Sequence, residues 1–324
     1  MEASVTSTDK ALVSSSSGLI REVRRLFWTV RDHSLFAGTL PYLFILPTFI
    51  LIGLIVVYPI LQAFYLSLLD VQFINPQGNF VGLRNITNIL QSSIFWLVFR
   101  NSAIWTSVVV LFQFGLGLAT ALLLNQEFYG RTLARALIIL PWVTPGVITG
   151  LLWRLLLEPN LGIVNGILAT LGVVNPNIPW LSQPSTAMLG VIASAIWKGT
   201  PFSTVMYLAA LQGVPEELLD AAKIDGATGW KRLLYVIIPS ISPVIRITVL
   251  LTTIWTANYF DIIYVMTEGG PINQTHIFPT YIYELGFRRG KTSMAAAFGL
   301  VTATLLLIFS LWYIRELNKR KALE

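Results

Sequence analysis

The sequence predicts an all-α, polytopic membrane protein with six transmembrane helices. Three observations carry that prediction. The chain of 324 residues is 55% hydrophobic and only 12% charged, whereas soluble domains carry about 25% charge. Its apolar residues gather into runs long enough to cross an ~30 Å hydrocarbon core as helices. Its basic residues concentrate on one side of the topology those runs define, the bias that orients membrane proteins.

The runs fall at about 40–69, 102–124, 134–157, 187–212, 241–266 and 293–314. The first is long enough to tilt or to project beyond the membrane. Pro41 and Pro47 lie near its start, Pro141 and Pro145 in the third run, and Pro239 and Pro243 at the opening of the fifth. Neighbouring helices can satisfy the carbonyls that such prolines free. Residues 1–33 are polar, with "SSSS" at 14–17 and Arg21, Arg24, Arg25 and Arg31 behind it. They are expected to form a disordered cytosolic tail ahead of a membrane domain spanning 34–315, with 316–324 as a cytosolic C-terminal tail. Placing the N-terminus inside puts fifteen of the 22 Lys and Arg residues on the cytosolic side. The cluster "FRRGK" at 287–291 violates that bias.

Composition also excludes. There is no cysteine, so disulfides, thiolate metal sites and cysteine nucleophiles are ruled out. His33 and His276 are the only histidines, too few for a histidine metal site. The net charge of +6 fits basic loops beside anionic lipid rather than nucleic acid. "GFRRGKTS" at 286–293 contains a G-K-T triplet but places three residues, not four, between its glycines. With no strand before it, it is not a phosphate-cradling loop.

The loop at 215–239 breaks the apolar pattern. Glu216 and Glu217 suit the positive end of a helix that Pro215 starts, and Leu218, Leu219 and Ala222 make an apolar face. "DGAT" at 225–228 turns the chain, with Thr228 placed to cap a second helix through Trp230 that ends near Pro239. Charge alone leaves open a solvated hairpin that joins two spans. "DAAKIDGATGWKRLLYVIIP", however, resembles the EAA loop of binding-protein-dependent ABC importer permeases. Asp220, Ala221, Ala222, Gly226, Val236, Ile238 and Pro239 stand at the positions of that motif with unbroken spacing. The resemblance implies an ABC importer type I permease fold and a coupling helix that docks on a cytosolic ATPase. Asp220, Ala221, Ala222, Asp225, Gly226 and Trp230 would be its coupling residues.

"FVGLRNITNIL", "GRTLARALIILPWVTPGVITGLLWRLLL", "WKGTPF", "NYFDIIYVMTEGGP" and "GKTSMAAAFGL" are similar to the maltose-type sugar branch, in a compact six-span form. Lys198 lies mid-way along the fourth run, where a charge needs a partner or a wet cavity. From sequence it either pairs with Asp261 or partner-subunit carbonyls, or donates to substrate oxygens. Thr252, Trp255, Thr256 and Tyr259 are expected on one face of the fifth span, where they either pack or line a cavity. The resemblance implies lining, with Lys198, Gly199 and Phe202 beside them on the fourth span.

The function so implied is a bacterial inner-membrane permease subunit that imports a sugar or glycoside, such as a disaccharide or a glucosylglycerol-like osmolyte, by alternating access. Its partners would be a second permease, two ATPase subunits, an extracytoplasmic solute-binding protein and membrane lipid. The chain itself would catalyse nothing and hold no cofactor or metal, with ATP and Mg on the ATPase. A glycerol-phosphate-type permease, prompted by Lys198, and an ion-driven transporter are the alternatives.

Overall fold

The computed structural model describes residues 34–72, 75–172 and 177–321. The expected N-terminal tail and the last residues of the C-terminal one lie outside them. The chain divides into two units, 1–62 and 63–324. In the first lie helix α1 (Ser34–Ile52), a π-helical turn at Gly53–Val57 and the start of α2 (Tyr58–Ser67), whose last residues belong to the second. The large side chains from Tyr42 to Tyr65 are apolar around the whole circumference and exposed, the composition of a helix solvated by lipid.

In the second unit the end of α2 is followed by an antiparallel hairpin, β1 (Leu69–Gln72) and β2 (Asn75–Phe80), pairing Leu69 with Phe80 and Asp70 with Asn79. It is the one departure from all-α structure among the described residues. The short amphipathic helix α3 (Arg84–Gln91) follows, then α4 (Ser93–Asn125). Ser92 caps α4 by accepting from the Phe95 N–H, so the second span begins well before residue 102.

The expected third span is broken. Helices α5 (Arg131–Leu137) and α6 (Leu140–Val143) meet α7 (Gly146–Leu156) at 98°. The cause is local: Pro145 lacks an N–H and drives Thr144 to an extended conformation, ψ 127°. Beyond α8 (Ile163–Thr170) runs α9 (Ala187–Gln212), the central helix, which packs on α4, α6 and α7. Gly117 of α4 makes the close approach possible, since a methyl group there would lie 2.6 Å from Ser203 Cβ. Small residues serve helix packing in lipid the same way.

After the loop helices α10 (Glu216–Ile224) and α11 (Gly229–Arg232), a π-helical turn at Leu233–Ile237 leads into α12 (Ile238–Ala257). The helix therefore does not stop at Pro239. That proline falls where the π turn passes into α12, and the extra residue of the π turn accommodates its ring and its missing N–H. The fifth span is shorter at its other end than expected, because Asn258 closes α12 and a new helix, α13 (Asp261–Thr267), starts after the break. Helix α14 (Phe278–Tyr283) and a further π-helical turn (Glu284–Arg288) precede α15 (Thr292–Lys321), which continues through most of the expected C-terminal tail.

Among the described residues, four helices are long and apolar enough to cross a membrane: Pro41–Ser67, Ser93–Asn125, Gly229–Ala257 and Thr292–Glu316. The bent pair Arg131–Val143 and Gly146–Leu156 makes a fifth if taken as one span. Helix α9 has 26 residues, about 39 Å at 1.5 Å per residue. Its Lys198, Ser and Thr residues dilute its apolar character, because it faces protein rather than lipid.

Candidate functional site

The break in the third span organises the site. Pro145 leaves carbonyls of the preceding turn without their helical N–H partners. Lys198, 9% exposed on α9, fills that vacancy: its Nζ donates to the carbonyl oxygens of Thr144 and, at 3.4 Å, of Trp142. On the far side of the break, Gly146 opens α7 directly beneath the Asp261 carboxylate, which a methyl group at Gly146 would overlap. A carboxylate at a helix N-terminus is favourable. The Lys198 ammonium thus bonds the carbonyl end of the break, and the Asp261 carboxylate lies beside its N-terminal end. Among the described residues Lys198 and Asp261 form no ion pair with each other, and the carbonyls that Lys198 meets are this chain's own.

Three aromatic rings lie beside this break. Phe202, one turn beyond Lys198, sits 5.7 Å from the Trp142 ring and 4.8 Å, edge-on, from Trp255. Both tryptophans are about half exposed (each 47%). Trp142 was not singled out from sequence, although its place between Pro141 and Pro145 marks a residue displayed by a broken helix.

The other predicted lining residues separate. Thr252 and Thr256 are buried, and the Thr252 hydroxyl donates to the Thr248 carbonyl at 2.9 Å. The Trp105 indole donates to the Thr256 carbonyl at 2.8 Å. Tyr259 is not on the helix face expected for it, because α12 ends at Ala257; its ring packs edge-on against Trp105 at 6.2 Å. Gly199 lies against the amide of buried Gln113, which donates to Ala195 O at 3.1 Å. The structure therefore brings together Lys198, Phe202 and Trp255 and adds Trp142, while Thr252, Thr256, Gly199 and Tyr259 sit in helix contacts.

The 215–239 loop forms a second surface. Ala222 is buried and anchors α10, while Asp220, Ala221, Asp225 and Trp230 are exposed. Asp220 pairs with Lys223 at 2.8 Å. Gly226 adopts φ +72° with open space where a Cβ would stand, a conformation glycine takes without penalty. Thr228 occupies the cap position of α11 but makes no side-chain cap bond. Leu218, Ile224 and Trp230 project into solvent around the charged groups, so the loop carries an apolar surface as well as a charged one.

"TEGGP" leads into a buried polar knot. The Asn101 amide donates to the Asn273 and His276 carbonyls at 3.1 and 3.2 Å. His276 Nδ1 lies 3.1 Å from the Thr280 hydroxyl, and its ring packs against Gly269, where no side chain would fit. Burial pushes the imidazole down to about 4.

The family of inner membrane components of binding-protein-dependent transport systems matches residues 113–321. A probable ABC transporter permease protein of Brucella suis biovar 1 is 35% identical over 277 residues, covering 86% of this chain and 96% of its own length. The trehalose/maltose transport system permease protein of Thermococcus litoralis is likewise 35% identical over 277 residues, covering 85% of this chain and 92% of its own. The fold is shared with a chain in the crystal structure of a bacterial ABC transporter involved in import of the acidic polysaccharide alginate. That match has a TM-score of 0.76 at 24% identity, over 91% of this chain and 99% of the other. The chain accordingly belongs to the inner membrane components of binding-protein-dependent transport systems, as an ABC transporter permease subunit.

Proposed function

We propose that this permease carries an uncharged sugar or glycoside inward by alternating access. The observation that carries the substrate class is the half-exposed cluster of Trp142, Phe202 and Trp255 at the break of the third span. Such rings stack on the apolar faces of a sugar while backbone and hydroxyl groups meet its edges. The trehalose/maltose relative agrees with that chemistry. Lys198 donates to backbone carbonyls, which engages the group that favoured a glycerol-phosphate-type anion and supports the neutral solute. Membership of the ATP-driven family sets the ion-driven alternative aside.

In such systems ATP hydrolysis belongs to a separate subunit. In our reading the loop 215–239 docks there, with Leu218, Ile224 and Trp230 as apolar contacts and Gly226 setting the turn. Two ATPase copies carrying ATP and Mg, a second permease and the solute-binding protein complete the importer. Counting the broken helix and α9 as spans gives six, with both termini in the cytosol.

Uptake by the complex reconstituted in proteoliposomes tests the substrate class. ATP-dependent accumulation of a neutral sugar such as trehalose, maltose or lactose, with sugar phosphates excluded, supports the proposal. Uptake confined to phosphorylated or otherwise anionic solutes refutes it.

A further inference from the structure

A cavity of about 310 Å³ lies between the hairpin, α3 and the start of α15, far along the sequence from the aromatic cluster and unused by it. Asp70, Arg84 and Lys291 line it with Asn85, Asn88 and Ser293. Among the described residues no ion pair joins the three charged groups to one another or to a neighbour. That is unusual beside Arg288 and Arg289, the other charges of the "FRRGK" cluster, which are paired with Glu268 and Glu284.

The cavity floor is built. Ser293, 2% exposed, accepts from the Val71 N–H at 2.8 Å, and its own hydroxyl proton has no acceptor among the described residues. Asn85, 6% exposed, donates to the Ser67 and Leu69 carbonyls at 2.8 and 2.7 Å, and its amide oxygen is left over. A ligand with both acceptors and donors is called for. The lining has no aromatic ring for a sugar to stack on.

Location supplies the rest. Helix Thr292–Glu316, long and apolar enough to cross a membrane, starts in the lining with Ser293 and Met294, and Ser93–Asn125 follows directly after α3; the ends of such helices lie within several ångströms of the hydrocarbon boundary, at the depth of lipid headgroups. Phe80 and Leu83, next in sequence to the lining residues Val81 and Arg84, are exposed, as is Trp96 in the first turn of α4, and Trp is the residue of membrane interfaces. We infer that this cavity binds an aminophosphate headgroup, that of phosphatidylethanolamine. The phosphate would sit between Arg84 and Lys291, with Arg84 offering a forked pair of donors. The ammonium would sit on Asp70.

The site explains why Lys291 stands against the charge bias, since its charge answers a lipid rather than the membrane orientation. All three charged residues are exposed, so their substitution leaves the fold intact.

The test is native mass spectrometry of the purified transporter equilibrated with mixed micelles of phosphatidylethanolamine and phosphatidylglycerol. The wild type is expected to retain phosphatidylethanolamine in preference. Arg84→Gln with Lys291→Gln should weaken retention about tenfold, as loss of two charge-assisted contacts would. Asp70→Asn should erase the preference over phosphatidylglycerol while keeping phosphate binding. Retention unchanged in the double variant overturns the site. Soluble phosphoethanolamine binding as tightly as the lipid overturns the membrane source. Loss of solute-binding-protein capture by the same variants, with lipid retained, assigns the cavity to that protein instead.

Discussion

An ammonium group inside a membrane helix costs at least a few kcal/mol unless it is paired, and Lys198 finds its partners in backbone. The Trp142 and Thr144 carbonyls are free only because Pro145 ended the helix before it. Lys198→Met therefore leaves part-buried carbonyls unpaired, and we expect it to destabilise the assembled complex by roughly 1–2 kcal/mol. Lys198→Arg, which keeps the donors, should recover part of that. The double change with Asp261→Asn should not, since no ion pair is being broken. Melting temperatures of the complex check all three. A Lys198→Met complex as stable as wild type, or one rescued by Asp261→Asn, would contradict the carbonyl clamp. The oddity of Lys198 was legible in the sequence. Its partner was not, because these carbonyls become free only where the chain bends at Pro145 and breaks the helical ladder.

At the scale of elements, the loop 215–239 and the connection 268–277 each rest on local chemistry. Gly226 sits at φ +72°, where a β-branched residue pays about 1–2 kcal/mol. Gly226→Val should sever ATPase docking while the chain still inserts, and Gly226→Asn, which tolerates that conformation, should keep most of it. Co-purification of the ATPase with each variant decides. In the connection, buried His276 is neutral when folded, held at about 4 against an ordinary value near 6.5. Unfolded chains take up the proton first, so the stabilisation is full above pH 6.5 and is lost as pH falls toward 4. At pH 5 the loss is roughly 2 kcal/mol. The melting temperature should fall between pH 7.5 and 5, and His276→Gln should flatten that slope even though it starts lower. Of these elements the turn at Gly226 was readable from Asp-Gly alone. The continuation of the helix through Pro239 was not, because the π turn that accommodates it leaves no pattern in composition.

For the whole molecule, hydropathy located the apolar helices because lipid-facing positions must be apolar around the helix. Pro41–Ser67 and Thr292–Glu316 are plain in the sequence for that reason. It overstated continuity where protein replaces lipid as the neighbour: the third run bends by 98°, and the fifth stops at Ala257 before a separate α13. The expected face of Thr252, Trp255, Thr256 and Tyr259 divided for the same reason, since α12 buries its threonines against α4 and α9. What remains exposed is Trp255 with Trp142, and the half-buried Phe202 ring lies between them. The most direct measurement is therefore ATP-driven uptake of a radiolabelled neutral disaccharide by proteoliposomes of the complete transporter, wild type against Trp255→Ala, with ATP hydrolysis followed in the same vesicles. We expect uptake to fall by about tenfold, the loss of roughly 1.4 kcal/mol of stacking, while the complex stays assembled and basal ATP hydrolysis persists. Unchanged uptake, or a variant that fails to assemble, would contradict a solute-contacting role for the aromatic cluster.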